Sequence, residues 1–156
     1  MIDFFTCYVF CHPIKLIIFS LFGGGEARIK WESHPLSTAI KETFGFEVIV
    51  FLKSLPKLKT ILANNPYTGE TLQTGERIYF TLLNPLPTPE KWEATQQKKN
   101  EIDPFILVDD VVYLFCRGGY GKTDFSNPFF EKNLKVTATT RNLETMQRLL
   151  EMAEAI

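Results

Sequence analysis

At 156 residues the chain has material for one ordinary core or two very small ones, and 45% hydrophobic with 22% charged residues excludes a largely disordered polymer. A formal net charge of -1 excludes a bulk field that would draw in nucleic acid or acidic lipid, so any charged partner must be met by a local patch. Three cysteines, Cys7, Cys11 and Cys116, are an odd number that forms no disulfide framework, and a reduced, cytoplasmic setting is expected.

Met1 to Phe22 differs in composition from the rest: nearly continuous apolar residues with only Asp3 and Lys15 as charges. Three readings compete. A transmembrane helix over 4–22 would tether the protein to a membrane, but Lys15 and His12-Pro13 fall mid-span, where a charge costs roughly 2.5 to 3.5 kcal/mol. A signal peptide wants a basic lead-in, and here it is Ile2-Asp3. The preferred reading is a frameshifted or truncated start that does not belong to the fold. Cys7, Cys11 and His12 have ligand chemistry, yet their spacing fits neither a haem attachment nor a zinc site with a second ligand pair, so no metal and no cofactor is expected. Gly23-Gly24-Gly25 then reads as a linker.

From Pro35 the pattern is regular. Leu36, Ile40 and Phe44 recur at helical spacing, Gly45 supplies a left-handed stop, and Phe46 to Leu52 is a β-branched and aromatic run typical of a strand. Ser54 caps a helix with the stripe Leu55, Leu58, Ile61 and Leu62. Arg77 to Leu83 predicts a second strand, and Thr88-Pro89 opens a polar helix through Trp92, its packing anchor, to about Asn100. Phe105 to Val108 and Val111 to Cys116 flank Asp109-Asp110, the spacing of a tight hairpin. Strands and helices alternate without a βαβ phosphate fingerprint, so the expected class is α+β, with helices packed on one face of a sheet. The expected divisions are an atypical segment 1–30, a remnant first half 31–53 and a C-terminal α+β half 54–156.

Cys116-Arg117-Gly118-Gly119-Tyr120-Gly121-Lys122-Thr123 resembles a P-loop and departs from one where it matters: Cys116 stands where the first glycine is needed, and Asp124-Phe125-Ser126 displaces the helix that should start at Lys122-Thr123. A weaker expectation survives, that Arg117, Lys122 and amides near Gly119 converge on one small anion. The plainer alternative is a connection whose basic residues are solvated. Tyr120 would stack on a base or cover the core. Beyond the loop, Asn127-Pro128 predicts a helix start with Phe130 and Leu134 on its buried edge. Thr139-Thr140-Arg141-Asn142 reads as a capping turn before the stripe Leu143, Met146, Leu149, Leu150 and Ala153. Capping explains Asn142. It does not explain Arg141, a cation at a helix N-terminus, which pairs either with Asp109, Asp110, Asp124 or Glu131 or with a bound ligand.

The loop at Gly119 to Gly121, the run Ser126 to Glu131 and the turn Ala138 to Asn142, together with the segment from His34 to Tyr67, resemble the bacterial domain-of-unknown-function family 1697 from about Leu36 onward. The resemblance implies two ferredoxin-like halves and no established activity or cofactor. Family members open with strands reading like Ala-Leu-Leu-Arg-Gly-Ile-Asn-Val and Tyr-Ile-Gln-Ser-Gly-Asn-Val, for which Met1 to about Lys30 stand in here, so the N-terminal half is expected to be incomplete.

These observations imply a protein of unknown function whose candidate ligand-binding residues are Arg117, Gly119, Lys122, Arg141 and Asn142, with Arg117, Lys122, Arg141 and the amides near Gly119 expected to face one common anion site. An enzyme acting on a phosphorylated or nucleotide-like substrate is the alternative, with Asp124 or Glu131 as base. A gene fragment without function is the third. No strong nucleic-acid signal is present.

Overall fold

The structure, a computed structural model, describes residues 15–20, 38, 41–43, 45, 49–69, 72 and 77–154. The chain divides into two compact units, Met1–Thr60 with Arg148–Ile156, and Ile61–Gln147.

In the first unit, strand β1 (Lys15–Ser20) runs parallel to β2 (Ile49–Ser54) in a register from Lys15 opposite Ile49 to Ser20 opposite Ser54. Of the readings the sequence offers for this stretch, a spanning helix does not hold over Lys15–Ser20, which form a paired strand; the remainder of 4–22 lies outside the described residues. Consecutive β-branched and aromatic side chains at 17–19 suit a pleated strand as well as a helix, and apolar runs this short do not separate the two by pattern. Gly45 holds φ +76 and its amide donates to the Lys41 carbonyl at 2.8 Å, the expected left-handed helix stop. Helix α1 (Leu55–Ala63) follows β2 directly, with the Ser54 hydroxyl accepting from the Lys57 amide at 3.3 Å. Phe51, Leu58, Leu149 and Ala153 are buried.

The second unit is organised on β3 (Arg77–Asn84), β4 (Phe105–Val108), β5 (Val111–Cys116) and β6 (Thr137–Asn142), antiparallel throughout in the order β4-β5-β3-β6. Helix α2 (Pro89–Gln96) joins β3 to β4, and α3 (Asn127–Leu134) joins β5 to β6. The elements of this sheet thus follow one another as β-α-β-β-α-β. Helix α4 (Leu143–Glu154) begins directly after β6. Asp109 and Asp110 form the two-residue turn between β4 and β5, Asp109 at φ +55.

Alternation sorts the side chains of the sheet onto two faces. Tyr79, Leu83, Val112, Leu114 and Ala138 lie with α2 and α3. There the Phe105 ring is met edge-on by Trp92 at 5.8 Å, Phe125 at 4.8 Å and Phe130 at 5.4 Å. Trp92 is therefore the anchor of α2, a helix with little other apolar surface. On the second face Ile78, Phe80, Leu82, Val111 and Tyr113 are buried too, and the Tyr113 hydroxyl donates to the Ile61 carbonyl at 2.8 Å. Every residue of β5 is consequently buried, which is why it reads as an unbroken apolar run.

Candidate functional site

The basic loop leaves the sheet at a defined point. Phe115 donates its amide to the Pro104 carbonyl at 3.0 Å, and two residues on Arg117 donates its amide to Asp103 Oδ1 at 2.9 Å. Asp103, 5% exposed, thus supplies with its carboxylate the acceptor that a further strand residue would supply with its carbonyl. Its own position is fixed by Asn100, whose Oδ1 accepts from the amides of Ile102 at 3.1 Å and Asp103 at 2.8 Å.

Past Arg117 the backbone turns at Gly119 (φ +80), a conformation open to glycine at little cost, and closes a single 3-10 turn over Tyr120–Lys122, with the Lys122 amide on the Gly119 carbonyl at 3.1 Å. No α-helix starts at Lys122, so helical amides are not aimed at a phosphate there. The stem of Lys122 instead lies across Gly118, where an added Cβ would stand 3.2 Å from Lys122 Cδ and 3.3 Å from its Cβ. Arg117 and Lys122 are both exposed, and among the described residues neither side chain has a hydrogen bond or ion pair. Nor do the amides of Gly118 and Gly119 meet an acceptor among them.

Tyr120 turns inward from the same loop. Its ring packs on Tyr79 at 5.1 Å, its amide donates to the Tyr79 hydroxyl at 3.3 Å, and its own hydroxyl accepts from the Asn127 amide at 2.8 Å and donates to Thr140 Oγ1 at 3.4 Å. Thr140 Oγ1 donates to Asn127 Oδ1 at 2.6 Å and lies 2.7 Å from Thr81 Oγ1. A hydroxyl has one proton to give. Since that of Thr140 goes to Asn127, Thr81 is the donor to Thr140. The loop, the first turn of α3 and strands β3 and β6 are thereby joined in one polar network. Asn127 was expected as a cap, but Ser126 occupies that position and the Asn127 side chain joins the network. Thr139 to Asn142, read as a capping turn, belong to strand β6, because β-branched residues satisfy a sheet as readily as a cap.

The remaining candidates are placed as follows. Asn142 Oδ1 accepts from the Thr145 amide at 2.8 Å, the expected cap of α4. Arg141 stands opposite Phe80 in the register, so its side chain leaves the sheet on the Thr139 face, whereas Tyr120 packs on the Tyr79 face. Nη1 of Arg141 donates to Thr139 Oγ1 at 3.2 Å and to the Thr140 carbonyl at 2.7 Å; no ion pair joins it to an acid among the described residues, the four considered from sequence included. Burial holds the Arg141 guanidinium below its ordinary pKa, and the nearby Tyr120 phenol works in the other direction. The structure therefore brings Arg117, Gly119 and Lys122 into one loop and leaves Arg141 and Asn142 on strand β6. Glu131 Oε1 accepts from the Ala138 amide at 2.9 Å, tying α3 to the start of β6, while Asp124 is exposed. Cys116 is a buried free thiol whose pKa burial pushes up to about 12, so it is no nucleophile at neutral pH. Among the described residues no group of three or more His, Cys, Asp or Glu could hold a metal ion; Cys7, Cys11, His12 and His34 lie outside them.

Sequence reasoning missed Asp103, Thr81 and the partnership of Tyr120 with Asn127 and Thr140. For Thr81 a signal existed, a threonine inside an otherwise apolar strand, where a buried hydroxyl needs a partner.

Sheet and helices define an α+β protein with a solvent-facing basic loop. Residues 26–113 match the family described as "Protein of unknown function (DUF1697)", and with more than half of its length matched the chain belongs to that family. The loop 117–122 and strand β6 lie beyond the matched segment. No curated protein and no solved structure matches the chain. No helix among the described residues is long and apolar enough to cross a membrane.

Proposed function

We propose that the protein binds a small anion, a phosphate or a phosphorylated or nucleotide-like compound, through the loop from Arg117 to Lys122. The observation that carries this reading is that Arg117 and Lys122 stand exposed on one short turn, the Lys122 stem packed across Gly118, while neither cation has an acid partner among the described residues. Free glycine amides on the same turn add neutral donors, and an anion shared by two cations and an amide gains more than any of them offers alone. A binding role is favoured over catalysis because, of the two candidate bases, Glu131 holds the Ala138 amide and Asp124 has no hydrogen-bond or ion-pair partner among the described residues to orient it. The free thiol of Cys116 supports a cytoplasmic setting.

Calorimetric titration of the full chain with inorganic phosphate and with nucleotides tests the reading. Saturable heat is expected, weakened by about tenfold in each of Arg117→Ala and Lys122→Ala. Absence of binding, or affinities unchanged in both variants, would refute it.

A further inference from the structure

Arg141 is half-buried on strand β6, and its donors divide unevenly. A guanidinium carries five N–H groups in one rigid plane. Two belong to Nη1, and Nη1 has two acceptors, Thr139 Oγ1 and the Thr140 carbonyl. Among the described residues Nε and Nη2 donate to nothing, and no carboxylate lies within ion-pair distance. Nη1 is the terminal nitrogen on the Cδ side of the guanidinium. The unused pair is therefore the one whose N–H bonds run parallel, the edge that grips both oxygens of a carboxylate or phosphate at once. Nη1 anchors the plane against its own strand, so the fork is held in place before any ligand arrives.

A purely structural role accounts for less of this. Satisfying a strand carbonyl and a threonine hydroxyl needs two neutral donors, which an amide side chain would provide without placing a cation where burial opposes its charge. A counter-ion removes that cost. We propose that the Nε–Nη2 edge of Arg141 is an oxyanion site, independent of the loop from Arg117 to Lys122, that takes a carboxylate or phosphate group. The register starts Arg141 on the sheet face opposite the one Tyr120 packs against, which favours independence, and the loop variant below tests it.

The test is nitrogen-15 NMR of the Arg141 Nε–H group in the full chain, titrated with inorganic phosphate and, in a second series, with acetate. A saturable shift of that resonance in either series is expected, the responding series naming the ligand. It should persist in an Arg117→Ala/Lys122→Ala variant. In Arg141→Lys, which lacks that resonance, the anion's stabilisation of the protein against melting should need about tenfold higher ligand concentration than in the unaltered protein, since lysine keeps the charge and loses the fork. No shift with either anion at millimolar concentration would overturn the proposal. So would a shift lost in the loop double variant, which makes the two sites one, or a resonance already bonded and slowly exchanging in the free protein, which assigns the fork to an acid of the chain itself.

Discussion

Thr81 and Thr140 meet hydroxyl to hydroxyl at 2.7 Å across strands β3 and β6. Thr140 gives its proton to Asn127 and accepts from Thr81, which is fully buried, and from Tyr120. Thr140→Val keeps the shape and β-branching and removes every one of these bonds, leaving the Thr81 hydroxyl without a partner. A loss of about 1 to 3 kcal/mol is expected in urea unfolding. The double variant Thr81→Val/Thr140→Val should recover part of it, because two apolar groups leave no orphaned hydroxyl between them.

Tyr120→Phe keeps the ring on Tyr79 and deletes the acceptor for the Asn127 amide. We expect about 1 kcal/mol of destabilisation and faster hydrogen exchange at the Asn127 amide, with exchange in β5 unchanged. Equal acceleration throughout the sheet would show that the hydroxyl supports the whole unit rather than the loop.

Lys135 ends α3 at φ +56, a left-handed conformation that a side chain resists, with its amide on the Glu131 carbonyl at 3.0 Å. Lys135→Gly should raise stability by about 0.5 to 1 kcal/mol, seen as a higher melting temperature. A lower melting temperature would mean that the side chain of Lys135 contributes more than its backbone costs.

Burial, with smaller contributions from the Asp109 and Asp110 carboxylates, pushes the Tyr113 phenol from 10.0 up to about 12. Burial does the same for Tyr67, from 10.0 to about 12. A group whose folded pKa is raised binds its proton more tightly in the folded protein. The stabilisation is therefore complete below pH 10, where the unfolded phenols still hold their protons, and disappears as pH rises through 12. Alkaline unfolding, followed by tyrosinate absorbance and circular dichroism together, should fall in that interval, and Tyr113→Phe should make it less steep.

The elements most legible in the sequence were those whose cause is local. Gly45 stops a helix by its own conformational freedom, Asn142 caps α4 with its own side chain, and the apolar runs around Asp109-Asp110 pair because only two residues part them. The candidate site was legible in one part, the basic glycine loop, whose residues are neighbours in the chain. The rest depends on partners far apart: Thr81 and Thr140 are separated by 59 residues, and Asp103 acts on an amide 14 residues later. Nothing in the composition of 137–142 distinguished a strand from a run of caps, since the deciding contact is with β3. Arg141 stood out as an unexplained cation, but only the register shows which face it leaves from.

The acceptor beneath the Arg117 amide is a side chain, and this has an evolutionary consequence. Main-chain rungs persist through almost any substitution, whereas the one supplied by Asp103 can be lengthened to glutamate, neutralised to asparagine or erased by a single nucleotide change. Where the sheet yields to the exposed turn is thus a heritable variable, and relatives could diverge in what that turn grips while preserving every strand beneath it.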